Sequence, residues 1–200
     1  MIAVRKFQAD TPDIDFAETI RYMGVRQNVT DELRALAYRG IQRVKRAAVC
    51  RGCYARVPIT VGDGWVVILD SRVESKSLAK HLRGCDEGWL MAATVGIGVD
   101  RLIHTAAGVS PSESLAIDAA GGAAVEWVCD ELCRLLEGES GSLRHRFSPG
   151  YGDFSLDFQR DMMKYLDMWK NCGITLSEGL MMTPTKSVTA IVGIERDKHV

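Results

Sequence analysis

The chain has 200 residues, of which 46% are hydrophobic and 26% are charged, and its formal net charge at pH 7 is −1. These values are typical of a globular protein with enough apolar sequence for its own core. The balanced charge gives no electrostatic basis for binding nucleic acid or an anionic membrane surface.

No segment of the sequence predicts a membrane span or a secretion signal. The longest apolar stretch, residues 89–99, is too short to cross a bilayer, and the N-terminal residues lack the apolar middle region of a signal peptide. The six cysteines fit a reducing compartment as free thiols, since a chain of this size needs no disulfides. We therefore expect a cytoplasmic protein.

The first 50 residues predict a helical segment. Residues 1–13 are polar and interrupted by proline, so we expect them to lie extended across another element. A short amphipathic helix over 15–23 precedes a longer one that begins at Asn28 or Thr30 and ends near Ala48. Its arginine-rich face is either solvated or docks an acidic partner. We assign residues 1–50 to this segment and 51–200 to the main domain, and expect the two to form one compact unit.

The next part of the chain predicts strands. Residues 54–61 and 65–69 read as a hairpin through Gly62-Asp63-Gly64, and 75–82 as a helix. Residues 89–95 are apolar throughout, as in a buried strand, and run through Gly96-Ile-Gly98 into a helix over 100–107. A Gly-x-Gly after a strand also occurs in Rossmann-type methyltransferases. Here the third glycine is absent and no alternating strands and helices follow, which favours a simple tight turn.

A long helix should begin at Ser110. Ser110 and Glu113 match a capping box, Pro111 suits the first helical position, and Gly138 follows the expected last residue, Glu137. The segment is almost wholly apolar between residues 115 and 128, so we expect it to be the central buried helix.

Two carboxylates and two glycines interrupt this apolar stretch. Because Gly121 and Gly122 weaken a helix, they indicate close packing of another backbone or of a ligand. Buried carboxylates need partners. Asp118 and Glu126 can therefore receive the ammonium of a ligand or pair internally with an arginine.

The C-terminal part predicts a helix from Ser155 to about Asn171 that stops at Gly173, then a strand up to Ile194. Apolar residues alternate from Val188 to Ile194, as in a strand with one buried face. The fold class is α+β, one domain with a twisted, mostly antiparallel sheet packed with a long central helix and flanking helices.

The cysteine spacing permits a metal site without favouring one. Cys50-x-x-Cys53 together with Cys129 and Cys133 could make a four-thiolate zinc site. The second pair, however, falls in the apolar helix, where small thiols are ordinary core residues. We therefore expect no zinc site from these cysteines.

The segment from Arg146 to Tyr151, Arg-Phe-Ser-Pro-Gly-Tyr, is the most distinctive in the chain. Pro149 and Gly150 turn the backbone sharply, and Gly150 lets a ligand approach the main chain without meeting a Cβ. Arg146 and Tyr151 add a bidentate cation and an aromatic face. The combination suits a zwitterionic, aromatic ligand. It also suits a plain turn whose arginine caps a carbonyl.

Three motifs in order resemble the activation domain of cobalamin-dependent methionine synthase. They are the segment from Arg146 to Tyr151, then Gly-Ile-Thr-Leu-Ser-Glu at 173–178, then Met-Thr-Pro-Thr-Lys-Ser-Val-Thr-Ala at 182–190. The family's patterns read Arg-Pro-Ala-Pro-Gly-Tyr, Gly-x-x-Leu-Thr-Glu-Ser and Met-x-Pro-x-x-Ser-Val-Ser-Gly. The resemblance covers roughly residues 110–194, more loosely from 75, and leaves 1–74 poorly covered.

The resemblance implies a cofactor, partners and site residues. The family's domain binds S-adenosylmethionine and presents it to oxidised cobalamin, which is remethylated with an electron from flavodoxin. By analogy, Arg146 holds the ligand's methionine carboxylate, and the backbone of Ser148 and Gly150, on either side of Pro149, meets its adenine end. Since the sulfonium already activates the methyl group, we expect no catalytic side chain and no catalytic metal. Tyr151 lines the same pocket.

Two departures from the family pattern shape the prediction. The glutamate that the family carries on its long helix falls on Gly122, so Asp118 or Glu126 would have to receive the ligand's ammonium. The chain also lacks an Asp-x-His-x-x-Gly corrinoid-binding loop. We therefore expect it to act on cobalamin carried by a separate methionine synthase core, with a flavodoxin-like electron donor. The alternatives are a reactivator of another corrinoid methyltransferase, and an interaction module that no longer binds the ligand.

Overall fold

In the computed structural model, residues 2–195 are described. The strands are β1 (Arg5–Gln8), β2 (Arg51–Val61), β3 (Trp65–Ile68), β4 (Ser71–Glu74), β5 (Glu87–Thr94), β6 (Thr175–Leu176), β7 (Met182–Thr183) and β8 (Ser187–Gly193). The helices are α1 (Phe16–Tyr22), α2 (Asp31–Ala47), α3 (Lys76–His81), α4 (Ile97–Ala107), α5 (Pro111–Ser140), α6 (Phe158–Leu166) and α7 (Met168–Cys172). None of the helices within 2–195 is both long and apolar enough to cross a membrane.

The main sheet is antiparallel and has the order β4-β3-β2-β5-β8. The 11-residue β2 is long enough to pair twice along one edge, with β1 through Arg51–Tyr54 and with β3 through Ile59–Val61. On its other side it pairs with β5, which pairs in turn with β8. The predicted hairpin and the extended N-terminal segment are both present. β4, which the sequence did not predict, extends the hairpin by one strand.

The sheet separates two apolar cores. Successive side chains of a strand point to opposite faces. Met91 and Ala93 of β5 accordingly lie in the core beneath α5, whereas Leu90 and Ala92 lie in the core beneath α3, α6 and α7. Burial on both faces explains the uninterrupted apolar sequence of β5. The α+β fold class with its long central helix is confirmed.

The helix ends follow the predicted capping residues. The hydroxyl of Thr30 accepts a hydrogen bond from the N–H of Leu33, and the hydroxyl of Ser110 accepts one from the N–H of Glu113. Pro111 occupies the first turn of α5. The helix extends three residues beyond the predicted end at Glu137, because Gly138 continues it.

The Gly-x-Gly after β5 makes the predicted tight turn. Gly96 has φ +83° and is the N-cap of α4. A Cβ on Gly98 would lie 2.6 Å from the carbonyl oxygen of Ala47, so the glycine allows α4 to approach the end of α2. Every strand pair among the described residues is antiparallel, whereas a Rossmann fold requires parallel strands.

Two predictions for the C-terminal part were wrong. The helix expected over 155–171 is instead two helices, α6 and α7, separated by Asp167 in a left-handed conformation with φ +40°. Ser155 precedes the first of them and bonds the N–H of Asp157 rather than capping a helix that starts beside it. β8 was expected to have one buried face. Since helices cover both faces of the sheet, Thr189 and Ile191 are as buried as Ala190.

The crossing of α2 over α5 depends on Gly40, where an added Cβ would lie 2.7 Å from the backbone oxygen of Ala116. We expect Gly40→Ala to lower the free energy of unfolding by about 1–3 kcal/mol, because the helices must separate. Gly138→Ala is the matched control, since nothing lies within 4 Å of its Cβ position. It should raise stability by up to ~1 kcal/mol through helix propensity. Urea denaturation measures both, and equal effects would contradict the packing argument.

Candidate functional site

The chain that leaves α5 runs along the open edge of β8. Gly141, with φ +76°, ends the helix, and the segment then forms bridges from Leu143 to Ile194 and from Phe147 to Ile191. Phe147 and Ile191 exchange two backbone hydrogen bonds of 2.9 Å. Phe147 packs into the core beneath α3 and α6, so its neighbour Arg146 faces α5 on the other side of the sheet.

Pro149 ends this edge ladder because it has no N–H to donate. The chain then folds into a compact loop, in which the N–H of Gly150 bonds the carbonyl of Phe154 (2.8 Å) and the N–H of Tyr151 bonds the carbonyl of Ser148 (3.1 Å). Gly150 has φ +90°, a conformation that favours glycine. We call residues 148–154 the Pro-Gly loop.

Asp153 fastens the Pro-Gly loop to the N-terminus of α3. Its carboxylate accepts hydrogen bonds from the hydroxyl of Ser75 (2.5 Å) and from the N–H groups of Lys76 (2.9 Å) and Ser77 (3.0 Å). These bonds hold the pKa of Asp153 well below its usual range, the Ser75 hydroxyl contributing most. Gly152 permits the contact, since a Cβ there would lie 2.9 Å from the Ser77 hydroxyl.

Arg146 lies between two carboxylates of α5. Its Nη2 is 2.8 Å from an oxygen of Glu126, and its Nη1 is 2.5 Å from an oxygen of Asp130 and 3.8 Å from the sulfur of Cys133. Burial by itself lowers the pKa of Arg146, but the hydrogen bond to Asp130, the electrostatic effect of Cys129 and the hydrogen bond to Cys133 outweigh it, so the net pKa is raised. The arginine side chain is 23% exposed, against 39% for Glu126 and 55% for Asp130.

The spacing along α5 explains this cluster. Glu126, Asp130 and Cys133 are four and three residues apart, so they lie on one face of the helix. Asp118 is two turns earlier, roughly 12 Å along the axis. It pairs instead with Lys186 (2.8 Å), whose stem packs at Gly121.

Gly122 faces α1 rather than the arginine. The ring of Tyr22 lies 3.4 Å from the position that a Cβ on Gly122 would occupy. Burial, then the charges of Glu18 and Glu126, raise the pKa of Tyr22. Gly122 is therefore covered by an aromatic ring, and Glu126, one turn further on, is one of the two acids that contact Arg146.

The structure thus brings together most of the residues proposed from the sequence. Arg146 and Glu126 are in contact. Phe147 follows the arginine, and after it come Ser148, Pro149, Gly150 and Tyr151. Tyr151 is 69% exposed and contacts Phe147 edge-on, with ring centroids 5.4 Å apart. Asp118 lies elsewhere.

Two acidic residues at the site were missed from the sequence. Asp130 could have been found, because it lies four residues after Glu126 on the same helix face. Asp153 could not, because its partners lie more than 70 residues earlier in the chain. A cleft of about 500 Å³ opens beside the cluster, bounded by Asp130, Cys133 and Arg146 together with the edge segment 143–145.

The cysteines do not form the zinc site that their spacing permits. Cys50 and Cys129 lie in the core beneath α5, whereas Cys53 lies in the core on the opposite face of the sheet. Burial raises the pKa of Cys50 to about 11. No group of three or more potential metal ligands occurs among residues 2–195.

Comparison with known proteins gives a fold and no sequence family. No family model matches the sequence, and no curated protein matches it. Among solved structures, the chain is similar to the MetH reactivation domain bound to AdoHcy, with a TM-score of 0.76 and 14% sequence identity. The match covers 100% of this chain and 80% of that one. The two chains share a fold.

Asp153 supplies a test of how the Pro-Gly loop is held. We expect Asp153→Asn to speed amide hydrogen exchange at Lys76 and Ser77 and through the loop, because their carboxylate partner is lost. Asp157→Asn is the control, since its carboxylate accepts only from the nearby Ser155 hydroxyl among the bonds of the described chain. Unchanged exchange in both variants would show that the loop is held by other contacts.

The same carboxylate gives a pH dependence. Because the pKa of Asp153 is lower in the folded protein, its contribution to stability is present above about pH 4, the ordinary value. That contribution is lost as the pH falls through the folded pKa. Wild type and Asp153→Asn should therefore converge in stability only in strong acid.

Proposed function

We propose that this protein binds S-adenosylmethionine between Arg146, Glu126, Asp130 and the Pro-Gly loop, and that it serves the reductive remethylation of a corrinoid cofactor carried by another protein. The observation that carries the proposal is an arginine held between two carboxylates directly before a glycine-containing loop. The solved structure with the same fold contains AdoHcy, the demethylated form of that ligand.

The cluster is complementary to an amino-acid zwitterion. A guanidinium recognises a carboxylate, and a carboxylate recognises an ammonium, at distances that a single α-amino acid end can span. Arg146 supplies one cation, and Glu126 and Asp130 supply two anions that each lie within hydrogen-bond reach of it. A ligand with only one of these charges would leave part of the cluster unmatched.

Arg146 retains donors for a ligand. A guanidinium has five N–H groups. Three are directed at Glu126, Asp130 and Cys133, which leaves the Nε hydrogen and one hydrogen of Nη2. A ligand carboxylate can use these without breaking the existing ion pairs, and the existing pairs fix the guanidinium before the ligand arrives.

The Pro-Gly loop constrains how the rest of the ligand would bind. The N–H groups of Gly150 and Tyr151 are used inside the loop, so the ligand would use the N–H of Ser148 or the C=O of Gly150. The exposed ring of Tyr151 offers a face on which an adenine can stack.

Little covalent chemistry is required of the chain itself. The sulfonium of S-adenosylmethionine supplies an activated methyl group, and the corrinoid on the partner accepts it. The residues of this protein bind and orient the ligand, and that ordering is a recognised source of rate acceleration. The expected partners are a cobalamin-binding methionine synthase core or another corrinoid protein, and a flavodoxin-like electron donor.

The first test removes the guanidinium of Arg146. Arg146→Ala should weaken S-adenosylmethionine binding by about 10- to 100-fold, because a charge-assisted hydrogen-bonded contact is removed. Arg72→Ala, which removes an exposed guanidinium paired with Glu74 on β4, should bind as wild type. Isothermal titration calorimetry measures affinity and circular dichroism checks folding. An unchanged affinity in folded Arg146→Ala would refute the assignment.

The second test concerns recognition of the ligand's ammonium group. Wild type should prefer S-adenosylmethionine over an analogue that lacks the α-amino group, and the double variant Glu126→Gln, Asp130→Asn should lose most of that preference. Glu131→Gln, an acid of the same helix that pairs with Arg134, is the matched control and should keep it. Equal preference in all three proteins would remove these carboxylates from the site.

Two observations support a second candidate, an interaction module that does not bind the ligand. Arg146 is already neutralised by two carboxylates of its own chain, and Tyr22 covers Gly122. Equilibrium dialysis with labelled S-adenosylmethionine separates the candidates, since no binding at high micromolar ligand would favour the module.

A reaction, rather than a titration, is needed to identify the corrinoid protein that this chain serves. We expect methylcobalamin to appear in the visible spectrum when the protein is mixed with a methionine synthase core in the cob(II)alamin state, S-adenosylmethionine and a reductant. Binding of S-adenosylmethionine without that signal would point to a different corrinoid protein.

A further inference from the structure

A pair of thiols lies on the face of the sheet opposite the arginine cluster. The sulfur atoms of Cys53 in β2 and Cys172 in α7 are 3.4 Å apart, although 119 residues separate them in sequence. We propose that Cys53 and Cys172 form a reversible redox pair, in which oxidation to a disulfide ties α7 to the central sheet.

The pair is distinct from the other thiols of the chain. Cys50, Cys129 and Cys133 belong to the core on the α5 side, and Cys85 lies near Gly193 at the end of β8. Within residues 2–195, Cys53 and Cys172 make the one hydrogen bond that joins two thiols. Oxidation should therefore select this pair over the other four.

The contacts of the two sulfurs give them different roles. The hydrogen bond that Cys53 donates lowers the pKa of Cys172, whereas the same contact and burial raise the pKa of Cys53. A thiolate is the nucleophilic form of cysteine. Cys172 also donates a hydrogen bond to the carbonyl of Met168 (3.3 Å). Because α7 is a short surface helix, Cys172 is the thiol that an oxidant reaches first, and Cys53, whose sulfur is 3.4 Å away, is positioned to resolve the product.

The reaction balances with hydrogen peroxide as the oxidant. The Cys172 thiolate attacks one peroxide oxygen, the O–O bond breaks, and the hydroxide that leaves takes up a proton to become water. The sulfur of Cys53 then attacks the sulfenic sulfur of Cys172, the S–O bond breaks, and the oxygen leaves as a second water. Overall, two thiols and one peroxide give a disulfide and two waters. A dithiol reductant reverses the change.

The position of α7 makes the reaction feasible. Cys172 is 3% exposed, but it lies on the inner side of a five-residue surface helix whose outer side carries Trp169, 67% exposed. Both flanking residues, Asp167 and Gly173, have positive φ. So short an element opens locally at low cost, which gives a small oxidant access to the sulfur.

The test is oxidation of the full chain with hydrogen peroxide, followed by alkylation under denaturing conditions and peptide mass mapping. We expect one cross-linked peptide joining residues 53 and 172, with the loss of two hydrogens, while the other four cysteines remain alkylated. Dithiothreitol should reverse it. The oxidised protein should also have a higher melting temperature, because the disulfide closes a long loop in the unfolded chain.

Matched variants distinguish this pair from general thiol oxidation. Cys172→Ser should lose both the cross-link and the rise in melting temperature, and Cys129→Ser, which removes an equally buried thiol from the other core, should retain them. The wild-type peptide map is informative even where a variant fails to fold. Recovery of Cys53 and Cys172 as separate thiols or sulfinic acids after oxidation, or a disulfide between other cysteines, would overturn the proposal.

Discussion

The ion pairs of Arg146 hold the segment beside β8 against α5, the helix from which that segment emerges. Arg146 belongs to the segment beside β8, and its partners Glu126 and Asp130 belong to α5. Removing one partner of a partly buried pair leaves the remaining charges poorly compensated. The guanidinium therefore fixes the edge segment against the central helix, and the start of the Pro-Gly loop is positioned with it.

The loop is also fixed at its far end. Phe147 is hydrogen-bonded to Ile191 before the turn, and Asp153 caps α3 after it. Five residues between these two anchors must reverse direction, which Pro149 begins and the positive φ of Gly150 and Gly152 completes. A loop held at both ends presents its backbone in one arrangement. Such preorganisation favours binding, because the loop loses little conformational entropy when a ligand binds.

Local sequence signals predicted most of the helices and strands, whereas contacts between distant segments are known only from the structure. The caps at Thr30 and Ser110 and the apolar run of β5 are short-range patterns, and each was read correctly. The break at Asp167 was missed, because an aspartate in a left-handed conformation has no distinctive sequence. The residues of the candidate site also divide into those that local sequence predicts and those that depend on the fold. Arg146 and its loop are contiguous in sequence, while the capping role of Asp153 depends on α3, which only the fold brings near.

The arginine cluster and the thiol pair should act independently, because the sheet lies between them. The arginine cluster is on the α5 face, and Cys53 and Cys172 are on the face covered by α6 and α7. β2 carries Cys53, and β5 separates β2 from β8, beside which the Pro-Gly loop begins. A shift of one sulfur by an ångström or so can be absorbed by side-chain rotation and by the short α7. Oxidation is therefore expected to change the melting temperature without changing ligand affinity, and a coupled response would mean that α7 and the edge of β8 move together.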